Sequence, residues 1–399
     1  MKDKKVIVGV TGGIAAYKVA ELVRLLVGEG VSTKVAMTTH ATRFVTPLTF
    51  EALSGNRVVS DMWDIETEPM DHIGWGQDAD LIIIAPATAN FLAYMAHGIG
   101  SDFLSTMILA ATAKILVCPA MNVHMFSNPA VQDNIRTLRE RGYFIMDPGE
   151  GELACGDEGA GRLPEPEDIL DQSKVLLSDG DLSGMRVLVT AGPTMEAIDP
   201  VRYITNRSSG KMGYALANAA RLRGADVTLI SGPTTLKPPK NVRLNRVKTA
   251  DEMKRAVFAC HQENDVIIKA AAVLDYKPRK TADHKIKKEE GNQSLELVRT
   301  PDILEELGLA KEKNRYLLVG FAAETEDLLS NASQKLARKN LDMIVANDVS
   351  RDDAGFETDT NLVRIIYRDG EREDLPLMTK KEVADHILGR VKSLWKNAF

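Results

Sequence analysis

The sequence predicts an α/β fold that consists of two doubly wound, mostly parallel-sheet domains in tandem. An apolar strand leads into a glycine turn twice, at residues 5–13 (KVIVGVTGG) and 186–193 (RVLVTAGP). Buried runs such as residues 81–84 (LIII) show no polar alternation, which is typical of a parallel sheet covered on both faces. Because such turns present backbone N–H groups to a phosphate, we expect one chain to handle two nucleotide-like ligands.

The composition limits the classes of protein to consider. The 399 residues predict two or three domains, and the net charge of -6 argues against a nucleic-acid partner. Residues 1–5 (MKDKK) lead directly into a strand, so we expect no signal peptide. No apolar run approaches the ~20 residues that span a bilayer. The three widely spaced cysteines, Cys118, Cys155 and Cys260, exclude a disulfide framework and a zinc ribbon. We therefore expect a cytoplasmic protein without membrane contact.

The first half alternates strands and helices and predicts a domain over residues 1–180. The predicted strands are Lys5–Val10, Thr33–Met37, Leu81–Ala85 and Ile115–Cys118, and the predicted helices are Ile14–Val27, Pro47–Leu53, Phe103–Ala111 and Ala130–Arg141. The glycine-rich residues 149–161 have too few apolar side chains to pack a core, so we expect a mobile flap. Residues 163–184, with two prolines and an acidic helix, are predicted to form the linker.

The second half repeats this alternation and predicts a second Rossmann-like domain over residues 181–399. The predicted strands are Arg186–Thr190, Asp226–Ile230, Val266–Lys269, Tyr316–Phe321 and Met343–Ala346, and the predicted helices are Lys211–Leu222, Ala250–Gln262, Asp302–Leu307 and Asp327–Lys339. A late hairpin is expected around Asp369–Gly370. A closing amphipathic helix is expected over Thr379–Trp395, with Thr379 as its N-cap.

The first glycine turn, Gly12, Gly13, Ile14 and Ala15, is not a complete G-x-G-x-x-G pattern. The second strand ends in Thr38, Thr39 and His40 rather than in an acidic residue. A hydroxyl group there can bind a terminal phosphate, whereas an acid would bind a ribose diol. This pattern disfavours NAD and allows flavin mononucleotide (FMN).

Further polar residues follow the next strands of the first half. Small residues and amides at strand ends suit a flat heterocycle, and the amide of Asn90 or Asn122 could bind a carboxylate or a ring edge. Asn122 could equally be a helix cap, His72 could be structural, and Cys155 could be an ordinary loop cysteine. The candidate residues in this group are Pro86, Ala87, Thr88, Asn90, Ser105, Asn122, His72 and Cys155.

Together these segments resemble the flavin-dependent cysteine decarboxylases, in particular phosphopantothenoylcysteine decarboxylases, with their flavodoxin-like flavoprotein fold. The matching segments are residues 12–18, 71–73, 86–90, 119–122 and 151–156, and Phe126 stands where the family usually has Trp. The resemblance implies that His72 is the active-site base, Asn122 binds the substrate carboxylate and Cys155 donates a proton. Cys155 lies beside Asp157 and Glu158, whose charge disfavours the thiolate and suits a general acid. We therefore expect Cys155→Ala to permit decarboxylation and to block the final reduction.

A second group of candidates follows the second glycine turn. Ser208, Ser209 and Gly210 precede a helix and can cradle an anion, although residues 205–212 do not form a Walker A loop. Asp275 ends a buried strand and could hold Mg²⁺ or a ribose. Phe321 could stack on a base or belong to the core. Lys285, Lys287 and Lys288 suit a triphosphate, although the same segment could simply be a solvated lysine run.

This second group resembles bacterial phosphopantothenate–cysteine ligases. The matching segments are residues 206–213, 270–276, 285–288 and 320–325, and Leu274 stands where Ala is more usual. The resemblance implies CTP and Mg²⁺, an acyl-cytidylate intermediate and the release of pyrophosphate, with Lys285 assisting activation and Asn206 contacting the acyl group. Both halves in this order resemble the bifunctional bacterial enzymes of coenzyme A biosynthesis. That family implies small-molecule substrates and a homo-oligomer, with trimeric flavin domains, up to a dodecamer, and paired ligase domains.

Three alternative functions fit the sequence less well. A flavin prenyltransferase or a peptidyl-cysteine decarboxylase would leave the second half unexplained. A non-catalytic regulatory flavoprotein would be expected to lack at least one of His72, Asn122 and Cys155, which are all present. An NAD-dependent dehydrogenase is weakened by the missing fingerprint.

Overall fold

The computed structural model describes residues 1, 3–63, 70–152, 156–287, 294–311, 315–324, 328–348 and 358–398. The chain divides into two compact units, Met1–Asp179 and Gly180–Phe399. Both units are α/β, as predicted, and each is described separately below. Among the described residues, every helix is too short or too polar to cross a lipid bilayer.

The first unit alternates strands with helices along most of its length. Its strands are β1 (Lys5–Val10), β2 (Ser32–Met37), β3 (Val58–Val59), β4 (Leu81–Ala87), β5 (Lys114–Pro119), β6 (Phe144–Ile145), β7 (Gly149–Glu152) and β8 (Glu158–Arg162). Its helices are α1 (Ala16–Gly28), α2 (Pro47–Ser54), α3 (Asp71–Asp78), α4 (Ala89–His97), α5 (Phe103–Leu109), α6 (Val123–Ser127), α7 (Pro129–Glu140) and α8 (Pro166–Leu177).

The main sheet of the first unit is parallel, with the strand order β3-β2-β1-β4-β5-β6. Without the two-residue edge strand β3, this is the 2-1-3-4-5 order of flavodoxin-like folds. The central strand β4 is buried over its whole length, and separate apolar clusters cover the two faces of the sheet. Strand β1 pairs with β2 on one side and with β4 on the other, so the strand order reverses between β1 and β4. A crevice opens at the carboxyl ends of these two strands.

The prediction that residues 163–184 form a linker is wrong for most of that segment. Helix α8 packs Ile169, Leu170 and Leu176 into the core of the first unit. Pro166 occupies the first turn of this helix, where a missing N–H costs no hydrogen bond. The predicted helix is therefore present, but it is a packed part of the first unit rather than part of a linker.

The predicted flap contains more regular structure than its composition indicates. Strands β7 and β8 pair in antiparallel fashion on either side of residues 153–155, which lie outside the described part of the chain. The hairpin contacts the turn after β5, because the Met121 N–H donates to the Gly161 carbonyl at 2.9 Å. A Cβ on Gly159, whose φ is +150°, would lie 2.7 Å from Cγ2 of Val123. Glycine at this position therefore permits the close approach of the hairpin to α6.

The second unit contains a larger sheet and several short hairpins. Its strands are β9 (Arg186–Ala191), β10 (Met195–Ala197), β11 (Tyr203–Thr205), β12 (Asp226–Ser231), β13 (Arg243–Arg246), β14 (Val266–Lys269), β15 (Tyr276–Pro278), β16 (Leu297–Arg299), β17 (Leu317–Glu324), β18 (Met343–Asp348), β19 (Thr360–Asn361), β20 (Val363–Tyr367), β21 (Arg372–Asp374) and β22 (Met378–Thr379). Its helices are α9 (Lys211–Leu222), α10 (Ala250–Cys260), α11 (Ile303–Ala310), α12 (Leu328–Arg338) and α13 (Lys380–Ala398).

The large sheet of the second unit has the order β13-β12-β9-β14-β17-β18-β20-β21. Its first six strands are parallel, and β20 and β21 continue it as the predicted antiparallel hairpin. The parallel strands follow the doubly wound order 3-2-1-4-5-6, with its crevice between β9 and β14. The predicted capping role of Thr379 is also confirmed, because its hydroxyl oxygen accepts the Glu382 N–H at 3.3 Å.

Candidate active sites

The first unit contains a cavity of about 710 Å³ at the carboxyl ends of β1, β4 and β5. This volume is within the range of small-molecule and cofactor sites. The cavity brings together the predicted residues Gly12, Gly13, Ile14, Ala15, Thr88 and Asn122. Several other lining residues were assigned no role from the sequence, including Tyr17, Lys18, Met125 and Arg162. Tyr17 and Lys18 lie one helical turn beyond the glycine turn, so their spacing could have indicated them.

Two of the predicted motifs are joined by hydrogen bonds at this cavity. The Thr11 hydroxyl donates to the Pro86 carbonyl at 2.6 Å and accepts the Thr88 N–H at 3.1 Å. The Thr88 hydroxyl in turn accepts the Phe91 N–H and caps α4. The glycine turn and the loop after β4 therefore form one preorganised wall of the cavity.

Position 12 has room only for glycine, because the glycine turn passes very close to His40. A Cβ at this position would lie 2.4 Å from Cβ of His40, at the end of β2. We predict that Gly12→Ala displaces the turn and removes most of the FMN that the sequence predicts for this cavity. Gly28→Ala, at the end of α1 where a Cβ meets nothing within 4 Å, is the matched control. Flavin absorbance per chain measures both variants, and full flavin content in Gly12→Ala would contradict this account.

Asn122 is held at the start of α6. Its side-chain oxygen accepts the His124 N–H at 2.8 Å, and its amide nitrogen donates to Oδ2 of Asp157 at 2.7 Å. The capping role that the sequence left open is therefore present, together with a second interaction. The amide already binds a carboxylate from the β7–β8 hairpin, so its donor is suited to a carboxylate ligand.

The other predicted residues of the first unit lie outside this cavity lining. Thr38 is buried, and its hydroxyl oxygen accepts the Ala41 N–H at 3.3 Å. Ser105 is buried in the capping box of α5. Pro86 and Ala87 are buried in β4, Asn90 is exposed in the first turn of α4, and His72 is half-buried at the start of α3. Cys155 lies outside the described residues.

The second unit contains a larger cavity of about 980 Å³ at the carboxyl ends of β14, β17 and β18. It collects Asn206, Ser208, Ser209, Gly210, Asp275 and Phe321 from the predicted set. Asn206 is oriented by its amide group, which donates to the Ala272 carbonyl at 3.2 Å. Lys285 and Lys287 are exposed on the loop after β15 and are not part of this lining, and Lys288 lies outside the described residues.

Glycine shapes the turn that leads into α9. Gly210 has a φ of +79°, and a Cβ there would lie 3.3 Å from Cα of Gly192 in the other glycine turn. The two turns therefore approach each other closely at the N-terminus of a twelve-residue helix. The Ser209 carbonyl accepts the Thr234 hydroxyl at 3.0 Å, which holds the turn in place. The N-terminus of α9 thus faces the cavity and suits an anion.

Several lysines that the sequence analysis did not single out lie in this cavity. They are Lys211, Lys269, Lys335, Lys339 and Lys380. Burial lowers the pKa of Lys269 to about 8, helped by Lys335 and Lys339 and opposed by Asp302 and Asp275. Burial and the neighbouring Lys211 lower the pKa of Lys380 to about 8 as well. A cluster of lysines whose pKa values are lowered is typical of a site that binds a polyanion.

Two buried amides in the same cavity have unused acceptors. Oδ1 of Asn347 and Oδ1 of Asn361 have no hydrogen-bond partner among the described residues. An unsatisfied buried carbonyl costs free energy, so a ligand N–H or O–H group at these positions would be favoured. The cavity therefore contains lysine ammonium groups that can bind a phosphate chain. It also contains amide oxygens that can accept hydrogen bonds from a polar part of the ligand.

Three acidic residues line the described part of this cavity, Asp275, Asp302 and Glu305. Within the described part of the chain, no group of three or more His, Cys, Asp or Glu side chains is placed to hold a metal ion. Asp275 is exposed at the cavity. Mg²⁺ commonly binds one or two carboxylates together with substrate phosphates, so Asp275 fits an ion that arrives with a nucleotide.

Comparison with known proteins assigns the chain to a family. The Flavoprotein family model matches residues 1–178, and the model of the DNA/pantothenate metabolism flavoprotein C-terminal domain matches residues 182–394. The coenzyme A biosynthesis bifunctional protein CoaBC of Bacillus subtilis (strain 168) is 49% identical over 402 aligned residues, which cover 99% of this chain and 98% of that protein. The chain belongs to the CoaBC family of bifunctional coenzyme A biosynthesis proteins. The CoaBC protein of Escherichia coli (strain K12) is 45% identical and covers 98% of this chain and 97% of its own length.

Two solved structures each match about half of the chain. The crystal structure of a CoaBC C-terminal domain is 46% identical, with a TM-score of 0.48, and covers 55% of this chain and all of that domain. A PPC decarboxylase mutant complexed with pantothenoylaminoethenethiol is 27% identical, with a TM-score of 0.40, and covers 44% of this chain and 98% of its own.

Proposed function

We propose that the chain carries out two consecutive steps of coenzyme A biosynthesis, ligation of phosphopantothenate to cysteine and decarboxylation of the product. The observation that carries the proposal is a ligand-sized cavity in each unit of a chain that matches bifunctional relatives over its whole length. The first unit is a flavoprotein decarboxylase and the second is a ligase. The two steps connect, because the ligase product, phosphopantothenoylcysteine, keeps the cysteine carboxylate that the decarboxylase removes to give phosphopantetheine.

In the first unit, the residues around the cavity fit FMN. The glycine turn and Thr88 offer backbone N–H and hydroxyl groups to the phosphate, and the apolar lining, which includes Ile14 and Met125, suits the flat ring. FMN supplies an electron sink that lets the cysteine carboxylate leave as carbon dioxide. Asn122 would bind that carboxylate, in the manner of its bond to Asp157.

His72 and Cys155 keep the roles of base and proton donor that the family resemblance implies. His72 does not line this cavity. It would therefore act on the flavin of a neighbouring subunit, which requires an oligomer such as the trimer that the family resemblance implies.

In the second unit, the cavity would bind CTP and phosphopantothenate. Lys269, Lys335 and Lys339 would neutralise the phosphate chain, and Asp275 would share Mg²⁺ with it. Asn206 would orient the acyl group, and Phe321, half-buried at the cavity, would contact the base. Lys285 would stabilise the charge that develops as pyrophosphate departs.

Two assays on the purified full-length chain test this proposal. The first unit predicts flavin absorbance that survives gel filtration. The second predicts pyrophosphate release that requires both CTP and phosphopantothenate, and amide formation only when cysteine is added. Pyrophosphate release that is equally fast without phosphopantothenate would point to a nucleotide hydrolase instead.

A further inference from the structure

The exposed loop that carries Lys285 and Lys287 contacts an ion pair formed by Asp199 and Arg202. The backbone N–H of Ile286, between the two lysines, donates to Oδ2 of Asp199 at 3.2 Å. The carbonyl of the same residue accepts from Nη2 of Arg202 at 3.0 Å. Both polar backbone groups of Ile286 are therefore used by a single Asp–Arg pair, which fixes the direction of the chain at that residue.

Asp199 is itself firmly placed. The residue is 2% exposed, and its Oδ1 accepts the N–H groups of Val201 and Arg202, each at 2.8 Å. Its Oδ2 accepts from Nε of Arg202 at 2.9 Å and from Nη2 of the same side chain at 2.5 Å. The hydrogen bond from Arg202 holds the pKa of the Asp199 carboxyl well below its usual range. The group therefore remains a carboxylate at neutral pH.

The pair lies at the tip of the β10–β11 hairpin, and more of the lysine loop follows the same hairpin. The Ala282 N–H donates to the Ile198 carbonyl at 3.0 Å, and the Thr281 hydroxyl donates to the Ala197 carbonyl at 3.1 Å. Strand β11 then leads to Asn206 and the turn before α9, which line the cavity. The hairpin therefore connects the lysine loop to the cavity wall.

A role in the hairpin turn alone does not account for this arrangement. The Oδ1 bonds to Val201 and Arg202 already form the local turn of the hairpin. Oδ2 reaches a residue 87 positions away that belongs to no part of that hairpin. The second oxygen thus serves the lysine loop.

We propose that Asp199 is a positioning residue for the ligase reaction. It holds the Lys285–Lys287 loop in the orientation that activation of phosphopantothenate by CTP requires. This inference rests on the proposed role of Lys285 in activation. Asp199 touches no substrate in this proposal; it acts through the backbone of Ile286. Replacing Asp199 therefore lowers the rate of activation strongly and changes the stability of the second unit only slightly.

The test is a double-mutant cycle on the full-length chain, with CTP- and phosphopantothenate-dependent pyrophosphate release as the readout. Asp199→Asn is expected to lower kcat at least tenfold while the melting temperature stays close to that of the parent protein. Combined with Lys285→Ala, it is expected to add little further loss, because both changes remove the same contribution. Trypsin is expected to cleave after Lys285 and Lys287 faster in Asp199→Asn.

Two further variants complete the design. Asp265→Asn is the matched control, because Asp265 also pairs with an arginine, Arg186, but holds the start of β9 rather than the lysine loop. Ile286→Pro removes the N–H that donates to Asp199 and leaves the hairpin intact, so it tests the same contact if Asp199→Asn fails to fold. It is expected to reproduce the loss in kcat.

The outcomes separate the inference from the function on which it depends. If Lys285→Ala retains full activity, the proposed role of Lys285 fails and this inference fails with it. If Lys285→Ala is impaired but Asp199→Asn and Ile286→Pro are not, only the inference fails. Fully additive losses in the double variant would also overturn it, because Asp199 would then act independently of the lysine.

Discussion

Replacing Asn122 by alanine is expected to lower kcat/KM of the decarboxylase roughly 10- to 100-fold. The amide of Asn122 donates to a carboxylate, Asp157, and we propose that it donates to the substrate carboxylate in the same way. A hydrogen bond to a charged group contributes about 1.5–3 kcal/mol, which corresponds to this loss. The measurement is carbon dioxide release from phosphopantothenoylcysteine as a function of substrate concentration.

The matched control for this variant is Asn128→Ala. Asn128 caps α7 through the N–H of Ala130 at 3.0 Å, just as Asn122 caps α6. Loss of such a cap costs about 1 kcal/mol of stability. Both variants should therefore lose one cap contribution to stability, but only Asn122→Ala should lose activity. Equal activity in the two variants would show that Asn122 acts only as a helix cap and would contradict this account.

Replacing Lys269 changes the pH dependence of nucleotide binding. The pKa of this half-buried lysine is lowered to about 8, so the unliganded protein carries the charge below that pH and loses it above. A bound phosphate chain favours the ammonium form and raises the pKa, so binding above pH 8 requires proton uptake. The titration of Lys269 alone should therefore lower CTP affinity about tenfold between pH 7 and pH 9, since each pH unit beyond the pKa of the free protein contributes up to tenfold.

Two substitutions at Lys269 separate charge from packing. Lys269→Met should bind CTP more weakly at pH 7 and lose this part of the pH dependence. Lys269→Arg should keep its charge at pH 9, so it should bind CTP as well as the parent protein at pH 7 and also lose this part of the pH dependence. Lys380 contributes a similar titration near pH 8 in every variant, so the difference from the parent protein is the quantity to read. Calorimetry at pH 7 and pH 9 provides it, and an identical pH slope in Lys269→Met would contradict this account.

The sequence predicts the strands that build both sheets, because each is a short apolar run beside a recognisable turn. The parallel strand β14 has the predicted bounds, Val266–Lys269, and α9 has the predicted bounds Lys211–Leu222. Helix α4 was missed, since it begins inside the motif at residues 86–90 that was assigned to ligand binding. The acidic helix within residues 163–184 was predicted, but the segment was assigned to a linker because the sequence does not show that this helix packs into the core.

The candidate sites are only partly readable from the sequence. Glycine turns and amides at strand ends were found because their local pattern carries the chemistry. The cavity lysines were missed because Lys269, Lys339 and Lys380 come from separate parts of the fold, and each resembles an ordinary flank of a strand or helix. Burial and mutual repulsion exist only after folding, so no local pattern reports them. The pairing of Asp199 with Ile286 is hidden for the same reason.

The most direct test of the tandem design follows cysteine labelled in its carboxyl group through the complete reaction. The purified chain is incubated with phosphopantothenate, labelled cysteine and CTP. We predict that labelled carbon dioxide appears only after pyrophosphate release and only when CTP is present, with phosphopantetheine as the final product. Carbon dioxide release without CTP, or accumulation of phosphopantothenoylcysteine with no carbon dioxide from flavin-loaded protein, would contradict this account.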